Sequence, residues 1–194
     1  MIKKVLLVIL LVSPPITMAI VAKLNAYPDR FAEAIPGKIY RGGFPTPEHL
    51  ERLQKEFGIR TVISLTGETE RPREIARQNA IRSLNLKQYR FPMKGNGTGK
   101  FPVLDRAADA LNAAEDQPIF FHCQAGKQRS NATLAAYRMK HCGWTLKEAL
   151  AELIEHYDLE HDGDERVLVE HLENYARWLE NSNGRQKTAA AGKP

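Results

Sequence analysis

Phe120-Phe121-His122-Cys123-Gln124-Ala125-Gly126-Lys127-Gln128-Arg129-Ser130 is the stretch on which the reading of this chain turns. The apolar run Pro118-Ile119-Phe120-Phe121 reads as a buried strand, and a helical pattern begins near Ser130. A Cys at a strand end, a short loop, an Arg and then a helix N-terminus make a place where an anion can sit. The backbone N–H groups of Gln124, Ala125, Gly126, Lys127, Gln128 and Arg129 would curl around one point, with the first turn of the helix aimed at it. Arg129 adds a planar fork matched to two phosphate oxygens. Gly126 suits a position of positive φ or close backbone approach.

The same field acts on the thiol. A free cysteine titrates near ~8.5, and a helix N-terminus with nearby cations brings this down to ~3.5–7.5. Cys123 would then be a thiolate beneath a bound phosphate, placed to attack phosphorus in line and form a phosphocysteine. Ser130 would donate a hydrogen bond to the sulfur as it leaves. A buried, inert Cys at a strand–turn–helix corner is the bland alternative. It leaves unexplained why Cys, Gly, Arg and Ser all stand where a phosphate cradle needs them.

The pattern His122-Cys123-x-x-Gly126-x-x-Arg129-Ser130 resembles the signature of cysteine-dependent protein tyrosine and dual-specificity phosphatases. The resemblance implies Cys123 as nucleophile, Arg129 as phosphate clamp and Ser130 as stabiliser of the leaving thiolate. It also implies His122 as a residue that orders the loop and helps keep the thiol ionised. Pro36 to Pro45 and Gly58 to Leu65 look like the opening segments of small bacterial and atypical dual-specificity phosphatases, so the resemblance spans roughly Phe31 to Trp178.

The 194 residues suffice for one domain, expected over 27–181. A net charge of +5 without interleaved aromatics is too weak to argue for nucleic acid. The two cysteines exclude a disulfide framework and a zinc-type spacing. His49, His141, His156 and His171 stand at no metal spacing either, so neither metal nor cofactor is expected. Cys142 lies at the far end of the signature helix, about 18 Å from Cys123, and reads as structural.

Met1-Ile2-Lys3-Lys4 followed by apolar residues to Ala22 reads as a secretory signal or an uncleaved membrane anchor. Either places the domain outside the cytoplasm, because Lys3 and Lys4 stay inside. Residues 182–194 are polar and small and are expected to be disordered.

Between these ends, strands are expected at Ile39–Arg41, Thr61–Leu65, Lys87–Phe91 and in the signature, with 25–36 irregular. Helices alternate with them. Thr46-Pro47 opens one that stops at Gly58. Pro72 opens another, with Ile75, Ala76, Asn79, Ala80 and Leu84 inward, and Pro102 a third, with Leu104, Ala107, Ala108, Leu111 and Ala114 inward. Thr145 to Glu148 reads as a capping box, and Val167, Leu168, His171, Leu172, Tyr175, Trp178 and Leu179 mark a last amphipathic helix. The pattern predicts an α/β fold: a central sheet of four to five mostly parallel strands with helices on both faces. Ligands in such sheets bind at the strand carboxyl ends, where Cys123 falls.

One part of the phosphatase pattern is missing. The general acid of many relatives is an Asp after Trp-Pro, and Phe91-Pro92-Met93 stands there instead, with no carboxylate between Glu74 and Asp105. Glu68, Glu70 and Asp105 are the candidate substitutes, with Asp158, Asp162 and Asp164 more distant. Loop solvation and helix-dipole pairing are the alternatives for each. Lys127 is either extra charge for a substrate rich in phosphate or an exposed loop lysine. Arg41 takes no role from the sequence.

The leading expectation is a metal-independent phosphomonoesterase acting on a phosphorylated protein, lipid or small molecule. A pseudophosphatase that binds phosphate without turnover is the second. A cysteine-dependent arsenate reductase or sulfur transferase is disfavoured by the intact Arg129-Ser130 ending and the lack of a partner cysteine.

Overall fold

The computed structural model describes residues 26–160 and 165–191, with side chains as far as Ser182 in the last helix. The segment 1–22, expected to be a signal or anchor, lies outside the described residues, as do Asp162, Asp164 and 192–194. Among the described residues no helix is long and apolar enough to cross a membrane.

Among the described residues five strands form one sheet: β1 (Ala32–Ile35), β2 (Ile39–Gly42), β3 (Thr61–Ser64), β4 (Lys87–Arg90) and β5 (Ile119–His122). Their order is β1-β2-β5-β3-β4, with β1 antiparallel to β2 and the remaining pairs parallel. The expected strands all form. β1 is the addition, falling in a segment read as irregular, because its short AEAI run alternates weakly and gains its partner only from β2. Around the sheet lie α1 (Pro47–Phe57), α2 (Pro72–Ser83), α3 (Phe101–Asn112), α4 (Gln128–His141), α5 (Leu146–His156) and α6 (Arg166–Ala191). Thr46 caps α1, and Thr145 with Glu148 forms the expected capping box on α5.

Strand alternation divides the core in two. Ile39, Ile63, Ile119 and Phe121 face one side, where Leu104, Leu134, Leu153, Leu168 and Leu172 from α3 to α6 cover them. Tyr40, Val62 and Phe120 face the other, against Leu50 and Leu53 of α1 and Ala80 and Ile81 of α2. All four residues of β5 are buried, so the strand carrying the signature is the rigid centre of the molecule. Each phenylalanine there contributes about 1.5–3 kcal/mol by burial.

Three helical expectations need correction. In α2 the buried face is Glu74, Arg77, Ala80 and Ile81, while Ile75 is 48% exposed. The first turns of that helix lie beside the polar carboxyl edge of the sheet, so charged side chains turn inward there and apolar ones only further along. Ala114 is exposed in a 3₁₀ turn beyond α3, and Val167 is exposed on α6. The backbone of α6 is helical as far as Ala191.

Candidate active site

Alternation also sets the directions of the two residues that end the signature strand. His122 follows Phe120 onto the α1–α2 side, and Cys123 follows Phe121 toward α4. His122 is fully buried. Its Nε2 lies 3.1 Å from Arg77 Nη1, and its Nδ1 lies 3.1 Å from the Cys123 carbonyl. Arginine only donates, so Nε2 accepts and Nδ1–H donates to the carbonyl. Burial, reinforced by the Arg77 cation, pushes the imidazole down to about 3. His122 is therefore neutral, and it serves the thiol by fixing the loop rather than by charge.

Arg77 is in turn held by Glu74, through Nη2 at 2.6 Å and Nε at 3.3 Å. Arg90 donates to the same Glu74 oxygen at 2.8 Å, and Gln78 at 3.1 Å. Burial alone would raise the Glu74 carboxyl, but the bonds from Arg77, Arg90 and Gln78 win and hold it at about 2. This buried ion network escaped sequence reasoning, since Glu74 and Arg77 look like an ordinary solvated i, i+3 pair.

Cys123 is 2% exposed at the base of the loop. Burial pushes its thiol up. Ser130, the Arg129 charge and the backbone N–H groups of Ala125 and Ser130 outweigh this and leave it below its ordinary value. Among the described residues the Ser130 hydroxyl is buried without a partner of hydrogen-bond geometry, so it acts on the sulfur as a near dipole until the sulfur or a ligand draws it in. Arg129 Nε is likewise buried with no partner among the described residues. Among the described residues no backbone carbonyl outside the helices takes the N–H groups of Gln124 to Arg129; that of Ala125 turns to the Cys123 sulfur, and the others are open to an anion.

Two features hold this shape. Gly126 has φ +68°, and a Cβ there would lie 2.7 Å from the Gly42 carbonyl carbon and 2.8 Å from Gly43 N. Only glycine satisfies both conditions. Arg41, to which sequence gave no role, reaches under the loop from β2. Its Nη2 donates to the Gly126 carbonyl at 2.8 Å and to Asn131 Oδ1 at 2.6 Å, with the guanidinium 4.0 Å from the Tyr157 ring centroid. Burial draws it down to about 10, so it remains charged at neutral pH. The signal available in sequence was only its position after a strand of the same sheet.

The candidate acids do not converge on the sulfur. Asp105 is taken by Lys140 Nζ at 2.7 Å and Tyr175 OH at 2.9 Å. Lys140 lies eleven residues beyond Arg129 along α4, so Asp105 sits about 16 Å from the cradle end of that helix. Its expectation is corrected on that ground. Glu68 accepts from Gln78 at 2.8 Å, and Glu70 is exposed. Asp158 pairs with Arg30 at 3.1 Å, whose Nη1 donates to the Ala125 carbonyl. The carboxylate bonded directly to loop side chains is Glu165, which sequence reasoning passed over. It is 2.8 Å from Lys127 Nζ and 3.3 Å from Gln128 Nε2, so Lys127 is neither an exposed lysine nor an unpaired charge. The Gly-rich loop packs on the start of α4, where a Cβ on Gly97 would lie 2.8 Å from the Gln128 carbonyl oxygen. Among the described residues no group of His, Cys, Asp and Glu is arranged to hold a metal.

A buried thiol of lowered pKa, between backbone N–H groups and a helix start at the carboxyl edge of a mostly parallel sheet, is the architecture of a cysteine-dependent phosphatase of the dual-specificity and tyrosine type. The chain belongs to the family described as DSP-PTPase phosphatase fused to NAD+ kinase, whose sequence profile matches residues 17–166. It is 29% identical over 126 residues to the inositol diphosphatase SIW14 of Saccharomyces cerevisiae, covering 61% of this chain and 42% of that one. It is 27% identical over 128 residues to the protein-tyrosine-phosphatase IBR5 of Arabidopsis thaliana, covering 65% and 43%. The chain spans less than half the length of these curated relatives. Among solved structures, PTPMT1 superposes with a TM-score of 0.66 at 18% identity, over 80% of this chain and 99% of that one, a likeness of fold.

Proposed function

We propose that the protein hydrolyses the terminal phosphoryl group of a phosphorylated inositol that carries a diphosphate, through a phosphocysteine on Cys123. The observation that carries this reading is a complete cradle beside a loop, Phe91 to Phe101, that brings no carboxylate. In the first step the Cys123 thiolate attacks phosphorus, the S–P bond forms and the bond to the leaving oxygen breaks. The electron pair departs on that oxygen. An alkoxide or phenolate needs a proton at this moment, since a phenol titrates near ~10, and lack of an acid slows such substrates by about 10²–10⁴-fold. A phosphate leaving group, with a pKa of about 6, departs without one. In the second step water attacks the phosphocysteine and the thiolate leaves, stabilised by Ser130 and Arg129. The proton of the water passes to solvent or to the outgoing phosphate. The similarity to an inositol diphosphatase supports the same substrate class.

Kinetics with the purified protein test this. A diphosphoinositol substrate is expected to turn over at least 10²-fold faster in kcat/KM than an alkyl phosphate, and Cys123→Ser to abolish both. Equal rates on the two substrates would refute the acid-free reading, and turnover by Cys123→Ser would refute the nucleophile. Met93, at the position of the usual acid, favours the second reading of a phosphate-binding module. An activated aryl phosphate that gives no burst of leaving group, with phosphate still bound, is the result that would select it. The segment 1–22 supports placement outside the cytoplasm, which a fused periplasmic reporter tests.

A further inference from the structure

The cradle has a neighbour on the carboxyl edge of the sheet. Leu65 N–H donates to the His122 carbonyl at 2.9 Å, so the chain leaving β3 starts out beside the signature loop. A cavity of ≈ 70 Å³ opens there, lined by Phe44, Thr66, Thr69, Arg71, Arg73 and Gln124. Gln124 belongs to both sites, since it is also the first residue of the cradle.

The charge in this cavity is not cancelled. Arg73 is held ready, with Nη2 3.1 Å from Gln124 Oε1 and its guanidinium 5.1 Å from the Phe44 ring centroid. Arg71 has no ion pair or side-chain hydrogen bond among the described residues, and it stands where α2 begins without a side-chain cap. Pro72 has no N–H, and no backbone carbonyl outside the helix takes that of Arg73. The carboxylate in the lining, Glu74, is turned away into the bonds with Arg77 and Arg90. Glu68, in the same loop, is bound to Gln78, and Glu70 is exposed. On the opposite flank, Lys127 is neutralised by Glu165. Among the side chains that line the cavity, the charges left without an ion pair are therefore those of Arg71 and Arg73.

We infer that this cavity is a second anion subsite, which takes another phosphoryl group of the same substrate while the scissile one sits over Cys123. Arg71 and Arg73 are its specificity-determining residues. The inference rests on the phosphatase reading of the Cys123 site and deepens it, by naming the side chains that hold a phosphoryl group other than the scissile one. Free inositol polyphosphates and phosphoinositide headgroups share that chemistry.

Calorimetry on the Cys123→Ser protein tests the subsite without turnover, with inositol hexakisphosphate and inorganic phosphate as probes. Arg71→Ala with Arg73→Ala is expected to weaken inositol hexakisphosphate about 100-fold, tenfold for each charge-assisted contact, and inorganic phosphate less than threefold. Lysine at both positions should recover part of the loss. Equal losses for the two probes, or no loss, overturn the inference. Should the double variant fail to fold, Arg71→Ala alone reads the subsite, because that side chain holds nothing in place; a loss under threefold for inositol hexakisphosphate then overturns it. Vesicles containing a phosphatidylinositol bisphosphate form a second arm. Arginine-dependent binding that exceeds that of the soluble headgroup assigns the lipid, and binding no stronger than the headgroup assigns the soluble ester; binding indifferent to both arginines counts against the subsite. Absent turnover by the unmodified protein would refute the proposed function while leaving this binding difference readable.

Discussion

Replacing Glu74 with glutamine removes one charge and keeps nearly the same shape. The Glu74 and Arg77 side chains are 3% and 0% exposed, so Arg77 would keep a full buried charge facing a neutral amide, a neutral His122 and the Phe44 ring, with no carboxylate. Breaking a buried pair from one side costs about 3–5 kcal/mol. The carboxyl itself gives a second measure, because it is held at about 2 against an ordinary 4.5. By linkage that difference is worth of order 3 kcal/mol. In a protein of this size such a loss lowers the melting temperature by about 6–12 °C. The sign with pH follows from a folded pKa below the unfolded one. The stabilisation is complete above about 4.5 and is lost as pH falls toward about 2. Urea denaturation of wild type and Glu74→Gln at pH 7, 5 and 3 should therefore show a gap of about 3 kcal/mol that shrinks to roughly half by pH 3. A gap under about 1 kcal/mol at pH 7, or one that ignores pH over this window, would refute the account of the network.

Three further outcomes follow from the cradle. Gly126→Ala drives a Cβ to 2.7 Å from backbone at a positive φ, so phosphatase activity should fall at least 10²-fold and stability by about 1–3 kcal/mol, read by kinetics and thermal melting. His122, held at about 3, should show no ring-proton titration by NMR between pH 5 and 8. Its neutral form is favoured in the fold, so its contribution is complete above about 6.5 and declines as pH falls toward about 3. Arg41→Lys keeps the charge but loses the planar guanidinium whose Nη2 donates to both Gly126 and Asn131. It should lower kcat about 10- to 100-fold with a smaller change in KM, since the loop rather than the bound ground state is disturbed.

Much of the molecule was open to reading before any coordinates. A strand-to-helix step with Cys123, Gly126, Arg129 and Ser130 in place carries its chemistry in local spacing, as do Thr46-Pro47 and Thr145-Glu148 at their helix starts. Such signals work because the interacting groups lie within a few bonds or one helical turn. The errors were equally consistent. Periodicity places Ile75 inward and leaves Glu74 off that face, because it assumes an apolar partner, whereas this part of α2 faces the charged edge of the sheet.

What the sequence determined by itself, then, is the strand–loop–helix unit around Cys123, the four strands β2 to β5 with the helices between them, and the lack of a carboxylate in the Gly-rich segment. What only the tertiary structure decided is which distant charges serve that loop. Arg41 beneath Gly126, Arg77 behind His122, Glu165 on Lys127, and Asp105 drawn off to Lys140 and Tyr175 are pairings across 85, 45, 38 and up to 70 residues. No period or motif links such partners. They meet because strand alternation sends His122 and Cys123 to opposite faces, and each face brings its own helices with their own charges.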